Sequence, residues 1–491
     1  MSAPPLSSLE NRAIRGVFWS ATERLGPQAV QLMVSIVLAR LLLPEQFGLI
    51  GMLTVFLALG AVFLNSGFGS ALIQKQDATE VHYSSVFYTN ILLSVVAAGI
   101  LCLAAPLIAR FYGEPILTPL TRVLSLNFVL SAFGLIQLFL MTKRLDFKTQ
   151  TKASLIASLG SGVVGIAMAV LDFGVWSLVA QSVSMTLFNT LLLWVFNTWR
   201  PRKAFSLTAL RELFGFGSRL LASGLLDTVF SNTYNIVIGK LFSPADLGYY
   251  TRAYTLQQLP SQTLGGVVGR VTFPLFAEMQ GDRARMKNGF RKALRALALV
   301  NFPLMIGLLV CARPLVLTLL TDKWAPAIPY LQLLCIVGLL YPLHLINLTV
   351  LLAMGRSDLY FRIQLAKKVL IAVGIAITWR WGIMAIILGQ ILTSIVAYYL
   401  NSYYSGRMIG YSMRQQVLDV LPYLGAAAAM GAGAFGLTWL PVAQPAALLF
   451  MQVVSGGLIY GLLCRGFRLP VFMDAWHIFE GKIGALRMAQ R

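Results

Sequence analysis

The stretch VLARLLLPEQFG at Val37 to Gly48 returns as VIGKLFSPADLG at Val237 to Gly248, about 200 residues further on. Arg40 falls on Lys240, Pro44 on Pro244 and Gly48 on Gly248. Each copy closes one long apolar segment and opens another, so the duplicated unit is a block of membrane helices. Two copies of one block imply a function built from two halves around a shared space.

Composition agrees with that reading. Of the 491 residues 57% are hydrophobic and 12% charged, against about 45 to 50% and about 25% in soluble domains. About fourteen mainly apolar stretches of roughly 18 to 28 residues are long enough to cross a hydrocarbon core of about 30 Å as helices. In the first half they run Gly16 to Leu42, Phe47 to Ile73, Ser84 to Ala109, Leu117 to Met141, Ala153 to Leu171 and Gly174 to Phe196. The second half gives Leu213 to Leu241, Ala245 to Thr272, Leu294 to Leu320, Ala327 to Ala353, Ile363 to Trp379 and Gly382 to Gly406, followed by Val417 to Leu440 and Ala446 to Cys464. Strands of a membrane barrel are about ten residues with alternating polarity, which these are not. The expected fold is an all-α polytopic membrane protein.

The offset of the repeat carries the first span onto the seventh and the second onto the eighth. This predicts an N-terminal six-helix lobe over 1–196, a linker over 197–212, a C-terminal six-helix lobe over 213–406, and helices thirteen and fourteen with a tail over 407–491. An even-numbered block repeated in one orientation makes parallel repeats, a plan suited to alternating access. The first apolar stretch is too long for a cleavable signal and contains Glu23 and Arg24, so it is expected to stay as a span.

A formal net charge of +21 invites a nucleic-acid reading, but the basic residues form no patch with interleaved aromatics. Topology explains them instead. With the N-terminus cytoplasmic, about 28 of the 39 Lys and Arg fall on the inward side, in runs such as Lys143 to Lys152, Trp199 to Phe205, Arg283 to Arg295 and Arg356 to Lys368. About six fall outward, including Arg40 and Lys240, which is the positive-inside bias with both termini cytoplasmic.

The remaining basic residues, Arg24, Arg122, Arg219, Arg252 and Arg270, sit inside spans. A cation near the bilayer centre costs about 2.5 to 3.5 kcal/mol on insertion scales, so it faces water or a partner unless it can snorkel. Arg219, Arg252 and Arg270 are nearer helix ends and can snorkel, as can Arg122; for Arg24, about 14 Å deep at 1.5 Å per residue, snorkelling is hard. The acids counted inside spans are Glu23 and Asp227. A cavity lined by Arg24, Arg219, Arg252 and Arg270 is net cationic and suits an anionic substrate such as a pyrophosphate headgroup. Glu23 and Asp227 are the candidate ion-coupling carboxylates, and Pro27, beside the deepest charge pair, is the candidate hinge.

Other chemistries find no residues to carry them. Cys102, Cys311, Cys335 and Cys464 lie far apart in apolar helices, and His82, His344 and His477 are scattered, so neither a metal site nor a catalytic triad assembles. No GxxxxGK[ST] loop is present, which leaves no ATP site and no expected cofactor. The small-residue runs GSGVVG at Gly160 and GAAAAMGAGAFG at Gly425 read as close helix packing.

The stretch SPADLGYYTRAYTLQQLP from Ser243 to Pro260, with GRVTFPLFAEMQGD at Gly269 to Asp282, resembles the mid-chain signature of polysaccharide exporters in the multidrug/oligosaccharidyl-lipid/polysaccharide superfamily. LLLPEQFGLIGM at Leu41 and NSGFGSALIQK at Asn65 are similar to its first-half counterpart. The nearest branch is that of the lipopolysaccharide and colanic-acid type flippases. The resemblance implies two six-helix bundles around a cavity that opens alternately to cytoplasm and periplasm. It also implies an undecaprenyl-pyrophosphate-linked oligosaccharide as substrate, the bacterial inner membrane as location, membrane lipid as neighbour, and H+ or Na+ as coupling ion, in a monomer. The family's charged first-helix position is matched by Glu23 and Arg24, and its basic positions in helices seven and eight by Arg219, Arg252 and Arg270. The second helix lacks a counterpart to the basic residue of the peptidoglycan-precursor flippases, which favours a polysaccharide repeat unit over lipid II.

Two other functions compete. A drug exporter of the same superfamily calls for an acidic, aromatic cavity, whereas intramembrane Arg here exceeds acid. A membrane-embedded polymerase or ligase needs a sizeable outward loop for its catalytic residues, and every outward connection is short.

Overall fold

The computed structural model describes residues 26–64, 69, 71, 72, 75, 77–442, 444–474 and 476, and within its helices the side chains of 64, 214–223, 262, 263 and 267–271 lie outside the description. Every regular element among the described residues is a helix. Ten of these helices are long and apolar enough to cross a membrane, which establishes the all-α polytopic class. The described parts of the other expected spans fall on helices too, among them Gly26–Leu41, the described part of the first span.

The chain packs as two compact units, Met1–Thr251 and Arg252–Arg491. The first contains α1 (Gly26–Leu41), α2 (Pro44–Leu64), α3 (Glu80–Tyr112), α4 (Leu117–Leu124), α5 (Leu126–Lys143), α6 (Phe147–Val170), α7 (Val175–Phe196), α8 (Leu207–Ser231) and α9 (Thr233–Leu241). It also holds the first two turns of α10 (Pro244–Glu278). By repeat, α8 and α9 belong to the second block, yet both pack on α2 of the first.

Local chemistry sets the helix ends. Asp146 caps α6 by accepting from the Thr149 N–H at 3.2 Å, and Ser206 caps α8 by accepting from Ala209 at 3.3 Å; such caps satisfy otherwise orphaned first-turn donors. At the far end of α3, Gly113 takes φ of 81° and donates to Ala109 O at 2.8 Å, a left-handed stop that glycine adopts without strain. The lipid-side character of α3 shows in its exposed apolar residues: Leu103 is 82% exposed, in a row with Ile100 and Leu107.

The glycine run of α6 packs as its composition predicts. A Cβ at Gly162 would lie 2.5 Å from Val34 Cγ2, and one at Gly165 2.7 Å from Gln181 Cβ, so both neighbours approach at backbone distance.

The second unit contains the rest of α10, then α11 (Arg283–Val310), α12 (Ala312–Leu320), α13 (Ala327–Ala353), α14 (Ser357–Thr378), α15 (Ile383–Ile409), α16 (Met413–Gly436) and α17 (Pro445–Gly466). Asp282 caps α11 with 2.9 Å bonds from Ala284 and Arg285. That cap starts the helix at the basic stretch Arg283 to Arg295, which is continuous with the ninth span. Phe276 and Phe290 stack with centroids 6.2 Å apart, and Phe302, Ile346, Tyr398 and Tyr423 extend their core. The helices run through Pro260, Pro303 and Pro342, each of which removes one ladder hydrogen bond and marks a point of bending.

Candidate transport site

The seventh span carries a one-residue turn at Asn232. α8 ends at Ser231 and α9 restarts at Thr233. At the turn, the Asn232 N–H reaches Thr228 O and Val229 O at 3.2 Å each, and its side-chain amide donates to Thr228 O at 2.9 Å. Asp227 lies on the exposed side of α8, a little over one helical turn before Asn232. The Ile236 N–H still reaches Asn232 O at 3.0 Å, four residues back, so the ladder continues across the turn and the distortion beside the carboxylate is local.

In the second unit, α10 brings a row of polar groups inward. Arg252 is 6% exposed, and its guanidinium carbon stands 5.5 Å from the ring centroid of the fully buried Trp324. A desolvated contact of this kind is worth about 2 kcal/mol. Further along the same helix, Gln257 Nε2 donates to Ser261 Oγ at 3.1 Å, and Gln258 Nε2 donates to the Tyr254 hydroxyl at 2.8 Å. Gly338 of α13 makes room for this row, since a Cβ there would meet Gln257 Nε2 at 2.2 Å. Asn301 of α11 bonds the Gly338 carbonyl at 3.1 Å.

Of the residues singled out from sequence, Pro27, Asp227 and Arg252 are described. Pro27 lies in the described part of α1, Asp227 in the first unit and Arg252 in the second. Glu23 and Arg24 lie outside the described residues, as do the side chains of Arg219 and Arg270.

The structure adds polar groups that sequence reading passed over. His344 Nδ1 accepts from Asn401 Nδ2 at 2.9 Å and Nε2 meets Ser394 Oγ at 3.0 Å, joining α13 to α15. One turn on, Asn347 and Gln416 exchange bonds at 3.1 and 3.3 Å, and Gln416 also accepts from Tyr398 at 3.1 Å. Asp419, a further acid inside the expected spans, is bound by Arg291, Arg295 and Tyr411. None of these pairings shows in linear spacing; the only signal was a polar residue in an apolar run.

In the first unit, Lys75 Nζ lies 2.9 Å from Glu212 Oε2 at the start of α8, and His82 Nε2 lies 3.4 Å from the same oxygen. The Lys75 hydrogen bond is the main cause that holds the Glu212 carboxyl below its ordinary range, and Glu212 in turn raises Lys75. Among the described residues, no group of three or more His, Cys, Asp or Glu is placed to hold a metal ion.

Comparison with known proteins bears on this arrangement. The profile of a family described as polysaccharide biosynthesis protein matches residues 37–329, more than half of the chain. The teichuronic acid biosynthesis protein TuaB of Bacillus subtilis is 30% identical over 384 residues, which cover 77% of this chain and 79% of TuaB. The lipopolysaccharide biosynthesis protein WzxC of Escherichia coli is 29% identical over 425 residues, covering 85% of this chain and 86% of WzxC. In structure, the chain is similar to the lipid II flippase MurJ in its inward closed conformation. The TM-score is 0.75 at 14% identity, over 92% of this chain and 98% of MurJ. At that identity the likeness shows the fold.

Proposed function

From the premise that this chain belongs to the polysaccharide biosynthesis protein family, we propose that it is a flippase for an undecaprenyl-pyrophosphate-linked oligosaccharide. The cargo is a polysaccharide or lipopolysaccharide repeat unit carried across the bacterial inner membrane by alternating access. The observation that carries this reading is a family match combined with relatives named for teichuronic acid and lipopolysaccharide over most of their own length. Those relatives serve different polymers, and what such polymers share is a hydrophilic glycan. Moving unpaired hydroxyls through hydrocarbon costs several kcal/mol each, so a glycan needs a polar path between helices.

In this reading Arg24, Arg219, Arg252 and Arg270 attract the pyrophosphate, while the lipid tail stays in the bilayer. Arginine suits the task because its planar fork matches phosphate oxygens in pairs. Glu23 and Asp227 carry the counter-transported H+ or Na+, and Pro27 lets the first helix re-aim Glu23 and Arg24. Both termini are cytoplasmic, as the charge bias supports.

The test is depletion of the protein in its host followed by mass spectrometry of lipid-linked glycans. Build-up of one undecaprenyl-linked repeat unit on the cytoplasmic face is expected. Unchanged lipid-linked pools together with lost drug tolerance would sink the proposal in favour of a drug exporter. Arg24→Ala is expected to stop export without loss of protein, and normal export would remove that residue from the site.

A further inference from the structure

The duplicated segments touch each other. A Cβ at Gly48 would lie 1.6 Å from Pro244 O and 2.5 Å from Pro244 C. Reciprocally, one at Gly248 would lie 2.0 Å from Pro44 O and 2.8 Å from Pro44 C. The same two virtual atoms stand 3.1 Å and 3.3 Å from the backbone N of the opposite glycine. Pro44 and Pro244 are the first residues of α2 and α10, and Pro-x-x-x-Gly sets the glycine one turn on, on the face of its proline carbonyl. The two first turns therefore cross backbone to backbone, related by the duplication itself.

We propose that this crossing is the contact that closes the periplasmic side of the transport path, with Gly48 and Gly248 as its positioning residues. The proposal rests on the flippase reading for its orientation and for alternating access. Its physical basis is that the obstructing atoms are backbone, which has no rotamer by which to move aside. Any side chain at either position holds the two turns apart. Around the crossing the seal is apolar: Leu247 is 0% and Met52 1% exposed, and Leu247 lies 3.2 Å from the Cβ position of Gly51 and 3.1 Å from that of Gly239. A contact of two helix starts that meet through glycine and proline backbone presents small opposed surfaces, which suits repeated parting and closure. The duplicated motif, on this account, is where its own two copies meet within the first unit, while substrate binding lies elsewhere.

The test uses the full-length chain in native membranes, with Cys102, Cys311, Cys335 and Cys464 replaced by serine and Met52→Cys as reporter. With both glycines present, Met52→Cys is expected to resist a membrane-impermeant maleimide applied from either side. Adding Gly48→Ala or Gly248→Ala is expected to raise labelling from the periplasmic side at least about tenfold, with glycan export falling in parallel. Gly51→Ala is the control, because the nearest atoms to its Cβ are side-chain atoms of Leu247 and Thr251 at 3.2 to 3.3 Å, and it is expected to preserve protection. Continued protection in well-inserted Gly48→Ala and Gly248→Ala chains, or labelling from the cytoplasmic side alone, would overturn the proposal. A second measurement needs no glycine variant: supplying the carrier-linked glycan to vesicles is expected to expose Met52→Cys during turnover, and unchanging protection in vesicles that export glycan would overturn the proposal too. If lipid-linked pools are unaffected by depletion while the alanine variants still gain label, the flippase reading fails and the closing contact stands.

Discussion

Asp419 of α16 receives both arms of the Arg291 guanidinium from α11, Nε to Oδ2 at 2.5 Å and Nη2 to Oδ1 at 2.6 Å. Arg295, one turn further along α11, binds Oδ1 as well, and the Tyr411 hydroxyl donates to Oδ2. A carboxylate only 9% exposed thus meets two cations and a hydroxyl. The effect is to fasten helix thirteen of the chain onto helix nine by a bond of fixed geometry.

This clamp predicts an asymmetric mutational response. Asp419→Asn leaves two cations facing each other without their anion, and destabilisation of about 2 to 3 kcal/mol is expected. That is below the ~3 to 5 kcal/mol typical of a fully buried pair, because Arg291 keeps 46% exposure and regains water. Arg291→Gln alone costs less, since Arg295 still pairs the carboxylate. Thermal unfolding in detergent, read as a double-mutant cycle over Asp419 and Arg291, is expected to give a coupling above about 1 kcal/mol; strict additivity would show that the geometry carries no net energy.

The glycine run of α16 predicts opposite signs within one helix. A Cβ at Gly431 would meet Ile306 Cγ2 at 2.6 Å, whereas at Gly425 nothing lies within 4 Å. Gly431→Ala is expected to destabilise by about 1 to 3 kcal/mol through overpacking. Gly425→Ala is expected to stabilise by up to about 1 kcal/mol, because alanine loses less backbone entropy in a helix. Melting temperatures of the two variants that move in the same direction would refute this assignment.

These contrasts also mark what sequence conveyed. Apolar length sets the helical class with no knowledge of partners, and the match of Pro44 and Gly48 with Pro244 and Gly248 exposes the duplication. What linear order conceals is pairing: Asp419 stands 128 positions from Arg291, and neither neighbourhood hints at the other. Asp419 stands within two residues of the expected span's start at Val417, where a charge reaches the interface and asks for no partner. Arg252 was legible as a cation at depth, but its seat over Trp324 depends on a turn between α12 and α13 that no periodicity predicts. The turn at Asn232 was equally silent, since asparagine in a long apolar run signals polarity and not a local distortion.

The Lys75 and Glu212 pair predicts how the start of α8 responds to pH. Glu212 has its folded value lowered, so its contribution is complete above the unfolded carboxyl value of about 4.3 and is lost as pH falls through the lower folded value. Lys75 has its folded value raised, so its contribution is complete below about 10.4 and fades as pH rises through the higher one. Hydrogen-exchange protection in segment 207–213, the measured rate set against the intrinsic rate at the same pH, is therefore expected to be high between about pH 5 and 10 and to fall in acid. Lys75→Gln is expected to flatten the acid limb. An unchanged acid limb in that variant would show that the pair does not hold the helix start.

The His344 cluster predicts that shape alone does not replace it. With Asn401 Nδ2 donating to Nδ1, the ring hydrogen sits on Nε2 and is donated to Ser394 Oγ, so both ring nitrogens are satisfied between α13 and α15. His344→Leu fills similar space but strands the Asn401 amide, which is fully buried, and the Ser394 hydroxyl. Since a buried polar group left unpaired costs about 1 to 3 kcal/mol, the expected loss is about 2 to 3 kcal/mol. His344→Gln keeps a donor and an acceptor on a side chain of comparable reach, and is expected to cost about 1 kcal/mol or less. Intrinsic tryptophan fluorescence during thermal unfolding separates the two: a leucine variant as stable as the glutamine variant would mean that the cluster contributes packing and not hydrogen bonding.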